Sequence, residues 1–193
     1  MNLIKGLYLL LLMASISGLA QDNFFIYKKN GEKIIAENGS FKPNVRSERL
    51  YYKLVGDKDE KFIKYEDMDY ATLSDSKFKY FNPKLESLFV IGEDAEKTLA
   101  YIGLSQSMGN STFYQYSVYV IDNKTYDVID KIVFTLYPSK GKSKTRGEVP
   151  GFITRYFGNC KKVMQRLSYF ENDGGMNMQI AGFFVFPPYM VCE

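Results

Sequence analysis

Apolar and polar residues alternate with period two along most of this chain, and a helical period appears only near its C-terminal end. Tyr114, Tyr116, Val118 and Val120 fall on one face of a strand while Gln115 and Ser117 fall on the other. Leu50, Tyr52 and Leu54 repeat that pattern. Phe24–Lys29 reads as a strand, Asn30-Gly31 as a hairpin turn, and Lys33–Ala36 as the returning strand. Leu85–Ile91, Lys97–Leu104, Thr112–Ile121 and Val128–Tyr137 are joined by connections too short for a crossover helix. Residues 85–137 therefore predict a four-stranded antiparallel meander.

The period then changes. Ile153, Tyr156, Phe157, Cys160, Val163, Met164 and Leu167 recur at helical spacing and predict one amphipathic helix over 150–170. Pro150 suits its first turn. Gly158 is an interior weak point, costing about 1 kcal/mol relative to Ala. Met176, Met178 and Ile180 alternate with Asn177 and Gln179 and predict a last strand, before the apolar Phe183–Phe186 and the Pro187-Pro188 stop. The expected fold class is α+β: mainly antiparallel β, hairpins plus a four-stranded meander, with one main C-terminal amphipathic helix packed on the sheet. A partly closed barrel is the alternative.

The N-terminal segment has the shape of a secretory signal peptide. Lys5 precedes the apolar run Leu7–Ala14, and Gly18 and Ala20 stand at −3 and −1 of a cleavage before Gln21. The apolar run is shorter than the roughly 18–20 residues that span a bilayer. Residues 1–20 are thus expected to be removed, leaving 21–193 as a single mature domain with no transmembrane segment. Asn82-Pro83 is the one break that suggests subdomains, 21–82 and 83–193. The expected location is exported: periplasmic, cell-surface or extracellular.

Composition narrows the chemistry. Twenty-five basic and 22 acidic residues leave a net charge of +3, reduced by one when Lys5 is removed, so neither nucleic acid nor another strongly charged partner is expected. The chain has no His, which excludes a His-based triad, a histidine general base and the usual His-containing zinc sites. It has no Trp, the best flat platform for a sugar. No cofactor or metal is implied. Cys160 and Cys192, in an oxidising compartment, are expected to form a disulfide closing a loop of about 33 residues, worth about 3–4 kcal/mol. Their spacing is unlike Cys-x-x-Cys and argues against a redox catalyst.

Three groups are candidate sites, each with a plainer reading beside it. Glu66, Asp67 and Asp69, with Asp75 nearby, could supply a carboxylate pair, but a calcium loop would need a Gly that is absent, and a solvated connector explains them as well. Lys140, Lys142, Lys144 and Arg146 in the Pro138–Gly147 loop could hold an anion, without Walker-type spacing, or simply form a charged surface loop. Tyr101, Tyr114, Tyr116, Tyr119 and Tyr137 on the meander could line a ligand cavity or pack across strands. Asn38, Asn110 and Asn123 sit in glycosylation sequons, and Asn38 and Asn123 are equally good turn residues.

Four segments carry a resemblance: Tyr27-Lys-Lys-Asn-Gly-Glu-Lys-Ile34, Leu50-Tyr-Tyr-Lys-Leu54, Phe62-Ile-Lys-Tyr-Glu-Asp-Met68 and Arg155-Tyr-Phe-Gly-Asn-Cys-Lys-Lys-Val163. In this order they resemble small exported proteins of Bacteroidetes-type bacteria that have no assigned activity. The resemblance implies a periplasmic or surface location and carries over no catalytic residue. The first functional expectation is an exported, non-enzymatic binding or envelope-associated protein, its partner an unknown protein or small molecule. A lipocalin-like carrier of an apolar or aromatic ligand and a carboxylate-dependent hydrolase are the alternatives.

Overall fold

The computed structural model describes residues 24–108, 111–136, 144–171, 179–185 and 187–193. β1 (Phe24–Lys28) and β2 (Lys33–Ala36) form an antiparallel hairpin. Their turn places Gly31 at φ 85°, a left-handed backbone that costs glycine nothing. β3 (Lys42–Asn44), β4 (Arg49–Lys53) and β5 (Glu60–Lys64) make a separate three-stranded antiparallel sheet. β6 (Met68–Leu73), β7 (Ser76–Asn82), β8 (Glu86–Glu93), β9 (Lys97–Met108), β10 (Ser111–Asp122) and β11 (Val128–Leu136) then run back and forth in sequence order.

β1 pairs with β6, so the main sheet reads β11-β10-β9-β8-β7-β6-β1-β2. The meander expected over 85–137 is present as β8–β11, and two further strands extend it back to Met68. The β7–β8 pairing carries the sheet straight across Asn82-Pro83. With β11 and β2 at its two ends, the sheet is open rather than closed into a barrel. At the β11 edge, Asp130 accepts the Lys131 N–H at 2.8 Å through one oxygen and the Tyr156 hydroxyl at 2.7 Å through the other.

The C-terminal region departs from the expected single helix. α1 (Lys144–Phe157) and α2 (Lys161–Glu171) are separate. The break falls at Gly158, where a Cβ would stand 2.7 Å from the Thr154 carbonyl oxygen. The buried stripe nevertheless continues across it, with Ile153, Phe157, Cys160, Val163 and Leu167 all in the core. α1 also begins earlier than expected, so Lys144 and Arg146 lie on a helix rather than in a basic loop, and Pro150 is an interior helical residue. Ile180 opens a short helix, α3 (Ile180–Phe183), instead of ending a strand; Met176 and Met178 lie outside the described residues. The terminal strand is β12 (Met190–Val191), parallel to the end of β8.

One face of the main sheet is covered by two different layers. Over β8–β11, Ile91, Leu99, Val118, Val120 and Phe134 pack against the helices. Over β1, β6 and β7, Phe24, Ile26, Met68 and Phe78 pack against Leu50, Tyr52 and Ile63 of the small sheet and against Tyr65. Phe89 touches both clusters. On the opposite face Leu88, Val90, Ala100 and Ile121 are buried beneath the larger side chains of Tyr119, Tyr126 and Tyr189. Gly92 lets α2 approach the sheet: a Cβ there would meet Val163 at 2.8 Å. Cys160 and Cys192 are joined by a disulfide, with Cα atoms 5.1 Å apart, which ties the tail to the start of α2.

Candidate functional site

The five tyrosines are not gathered into one site. Tyr101 and Tyr116 belong to a row of rings that crosses β8–β11. Phe89 and Tyr101 lie 5.4 Å apart between centroids, Tyr101 and Tyr116 6.4 Å, and Tyr116 and Phe134 5.2 Å. Phe184 lies on top of this row, within 5.3–5.7 Å of Tyr101, Tyr116 and Phe134. Arg166 holds that lid by donating to the carbonyls of Gly182 and Phe183 at 3.1–3.2 Å, at the end of α3. Gly103 leaves room for the Tyr116 ring, which would stand 3.0 Å from a Cβ there. Burial pushes the Tyr101 hydroxyl well above the usual tyrosine range. Tyr114 is exposed, Tyr119 is on the opposite sheet face, and Tyr137 lies outside the described residues.

The basic group is divided too. Arg146 is 1% exposed and engaged within the fold, whereas Lys144 is exposed. Lys140 and Lys142 lie outside the described residues. The carboxylates Glu66, Asp67 and Asp69 are all exposed, and Glu66 is ion-paired with Lys64 at 3.1 Å. Asn123, a sequon residue, is used inside the fold: it accepts from the Thr98 hydroxyl at 2.6 Å and donates to the Asp94 carbonyl at 2.8 Å. No group of three His, Cys, Asp or Glu side chains able to hold a metal occurs among the described residues.

A cleft of about 510 Å³ opens where the β1–β2 turn meets the small sheet. Tyr52 and Ile63, which also belong to the small-sheet core, form its inner wall, and Phe62 forms an exposed lip. Lys28, Lys29, Lys64, Glu66 and Asp67 also line it. Local hydrogen bonds hold these walls. Asn30 accepts the Glu32 N–H at 3.0 Å, which fixes the turn, and Lys29 N–H donates to the Asp67 carbonyl at 3.1 Å, which ties the turn to the segment after β5. Buried Tyr65, packed edge-on against Phe78 at 5.6 Å, anchors that segment from below.

The rim of the cleft is nearly balanced in charge. Lys28 pairs with Glu32 at 2.8 Å; that hydrogen bond raises the Lys28 ammonium and lowers the Glu32 carboxyl from their ordinary values. The arrangement offers apolar contact at the back and donors and acceptors of both signs at the front.

A second polar cluster lies on the opposite face of the sheet and was not legible in the sequence. Glu93 accepts the Tyr189 hydroxyl at 2.7 Å and pairs with Lys77 at 3.2 Å and Lys79 at 3.4 Å. Burial pushes this carboxyl up, but Tyr189 and the two ammoniums outweigh it and hold the group below the usual glutamate range. Burial and the bond to Glu93 drive the Tyr189 hydroxyl far above the tyrosine range. Lys77 also lies over the Tyr189 ring at 4.2 Å. Every charge in this cluster has a partner, so it acts as a clamp on the tail. The alternation of Lys77 and Lys79 in β7 was a local signal for their shared face; the separation of 96 positions from Glu93 to Tyr189 hid the rest.

Comparison of the chain with protein-family models, with curated proteins and with solved structures returns no match.

Proposed function

We propose that this chain is an exported, non-enzymatic binding protein whose ligand site is the cleft between the β1–β2 turn and the small sheet. The observation that carries this reading is the cleft itself: about 510 Å³, with an apolar wall of Tyr52 and Ile63 and a rim of both signs. Its ligand is a small molecule or short segment with an apolar part for that wall and polar groups for the rim. The disulfide and the signal-like residues 1–20 support export. No helix among the described residues is long and apolar enough to cross a membrane.

The two alternatives have less support. A carrier would need room beside Tyr101 and Tyr116, and Phe184 fills it. A hydrolase would need one desolvated acid, and Glu66, Asp67 and Asp69 all face solvent. Two experiments test the proposal. N-terminal sequencing of protein recovered from outside the cytoplasm should begin at Gln21; an intact Met1 there contradicts cleavage of residues 1–20, and recovery from the cytoplasm alone contradicts export. Thermal-shift screening against small amphipathic compounds should give hits that F62A or K64E abolishes, while hits indifferent to both substitutions remove the cleft from consideration.

A further inference from the structure

The disulfide lies at the mouth of a hollow of about 240 Å³, bordered by Asn159, Lys161, Lys162 and Glu193 as well as by the two cysteines. Cys192 is partly exposed and Cys160 is buried. Beyond the bridge, the tail is held by hydrogen bonds and by packing. Ser76 donates its hydroxyl proton to the Pro187 carbonyl at 2.8 Å, Tyr189 N–H donates to the Asp75 carbonyl at 2.7 Å, and Cys192 N–H donates to the Glu93 carbonyl at 2.8 Å. The Tyr189–Glu93 bond, the two residues of β12, the burial of Met190 in the helical core and the packing of Tyr189 on the opposite face add to these. β8 keeps β7 and β9 as antiparallel neighbours without them. Residues 187–193 are therefore a strap across the end of the sheet, fastened covalently at one point.

We propose that Cys160–Cys192 is a thiol–disulfide exchange site, reduced by a protein dithiol, and that its reduction releases this strap while the rest of the fold stays in place. The attacking thiolate forms a bond to the Cys192 sulfur, the more accessible of the two. The Cys160–Cys192 bond breaks, and its electron pair leaves on the Cys160 sulfur. The second thiolate of the dithiol then attacks the mixed disulfide, and Cys192 departs as a thiolate that takes a proton from water. Two electrons pass from the dithiol to the bridge, and the dithiol leaves as a disulfide.

The leaving sulfur is well placed for this step. The Cys160 carbonyl accepts the Met164 N–H at 3.0 Å, so Cys160 stands at the start of the 11-residue α2. The positive end of the helix and the ammoniums of Lys161 and Lys162 favour a thiolate there, and Glu193, also at the hollow, opposes them. A more stable thiolate leaves faster. Release would open the Gly92–Glu93 edge of β8 and free Glu93 from Tyr189.

The test uses the full mature chain with dithiothreitol as the dithiol, followed by alkylation, mass spectrometry and amide hydrogen exchange. Both thiols should appear without denaturant and with unchanged far-UV circular dichroism. Faster exchange should be confined to 187–193 and Gly92–Glu93. In the reduced protein at about pH 6, Cys160 should alkylate about tenfold faster than Cys192, and K161Q/K162Q should erase most of that difference. C192S measures Cys160 alone; its alkylation midpoint should fall below about pH 8.5, the value of an ordinary thiol. Thiols that appear only with global unfolding, exchange that spreads through α2 and β9–β10, or a Cys160 no faster than Cys192 would each overturn the proposal. The wild-type measurements stand even where C192S fails to fold.

Discussion

One sheet face is covered twice in this molecule, by helices over β8–β11 and by a three-stranded sheet over β1, β6 and β7. The helical half is closed over its ring row, and a surface hollow of about 470 Å³ lies outside that row, between α1 and β11. Its ring row is capped by Phe184, its tail is tied back by the disulfide, and its glycines at 92 and 103 mark places where a neighbouring side chain has taken the space. The small-sheet half is packed just as tightly near Phe78, yet at its end the two layers part and leave the cleft. The contrast teaches where binding can occur on one continuous sheet. The cross-strand rings under Phe184 are core, whereas Phe62, which faces Tyr51 across β4–β5, stays exposed because no layer covers that pair.

Substitutions can break this contrast. Phe184→Ala should have the largest effect, about 3–5 kcal/mol lost in urea unfolding, because it opens a void over three rings at once. Removing the bridge with C160S/C192S should cost about 3–4 kcal/mol, through a more disordered unfolded chain, with little change in the cleft.

Glu93 comes next. Its folded carboxyl titrates below its unfolded value, so its stabilisation is complete above the ordinary glutamate range and is lost as pH falls through the lower folded value. E93Q should be less stable than wild type at neutral pH by about 1–2 kcal/mol, and the gap should narrow on acidification in parallel unfolding curves. Gly92→Ala should cost about 1–2 kcal/mol, since its Cβ presses on Val163 from 2.8 Å. Phe62→Ala should be the mildest, under about 0.5 kcal/mol, because the ring is 48% exposed; its effect belongs to binding.

What the sequence made legible follows the range of the interactions. The Asn30-Gly31 hairpin and the β8–β11 meander depend on neighbours in the chain, and the period-two pattern marks them. The helical stripe from Ile153 to Leu167 was legible for the same reason, and the Cys160–Cys192 pair because the chain has two cysteines behind a signal-like segment. The pairing of Phe24 with Leu73 joins segments far apart, and nothing near either residue signals it. Arg146 looked like a loop cation because charge usually means solvent, and here the first turn of α1 buries it. Tyr101 and Tyr116 were candidate ligand contacts until Phe184 was placed over them, and a single apolar run, Phe183–Phe186, gives no hint of which rings it will cover. The cleft was the least legible feature. Its walls come from three separate stretches, and the acidic residues singled out beside it were read as catalytic candidates or a connector rather than as its rim.

The most direct test of the account is a residue-resolved NMR titration of the labelled mature chain with the amphipathic compounds that stabilise it. The account predicts shift changes concentrated at Lys28–Asn30, Tyr52 and Phe62–Asp67, with Tyr101, Tyr116 and Phe134 unmoved. Changes centred on that ring row, with the cleft silent, would contradict it.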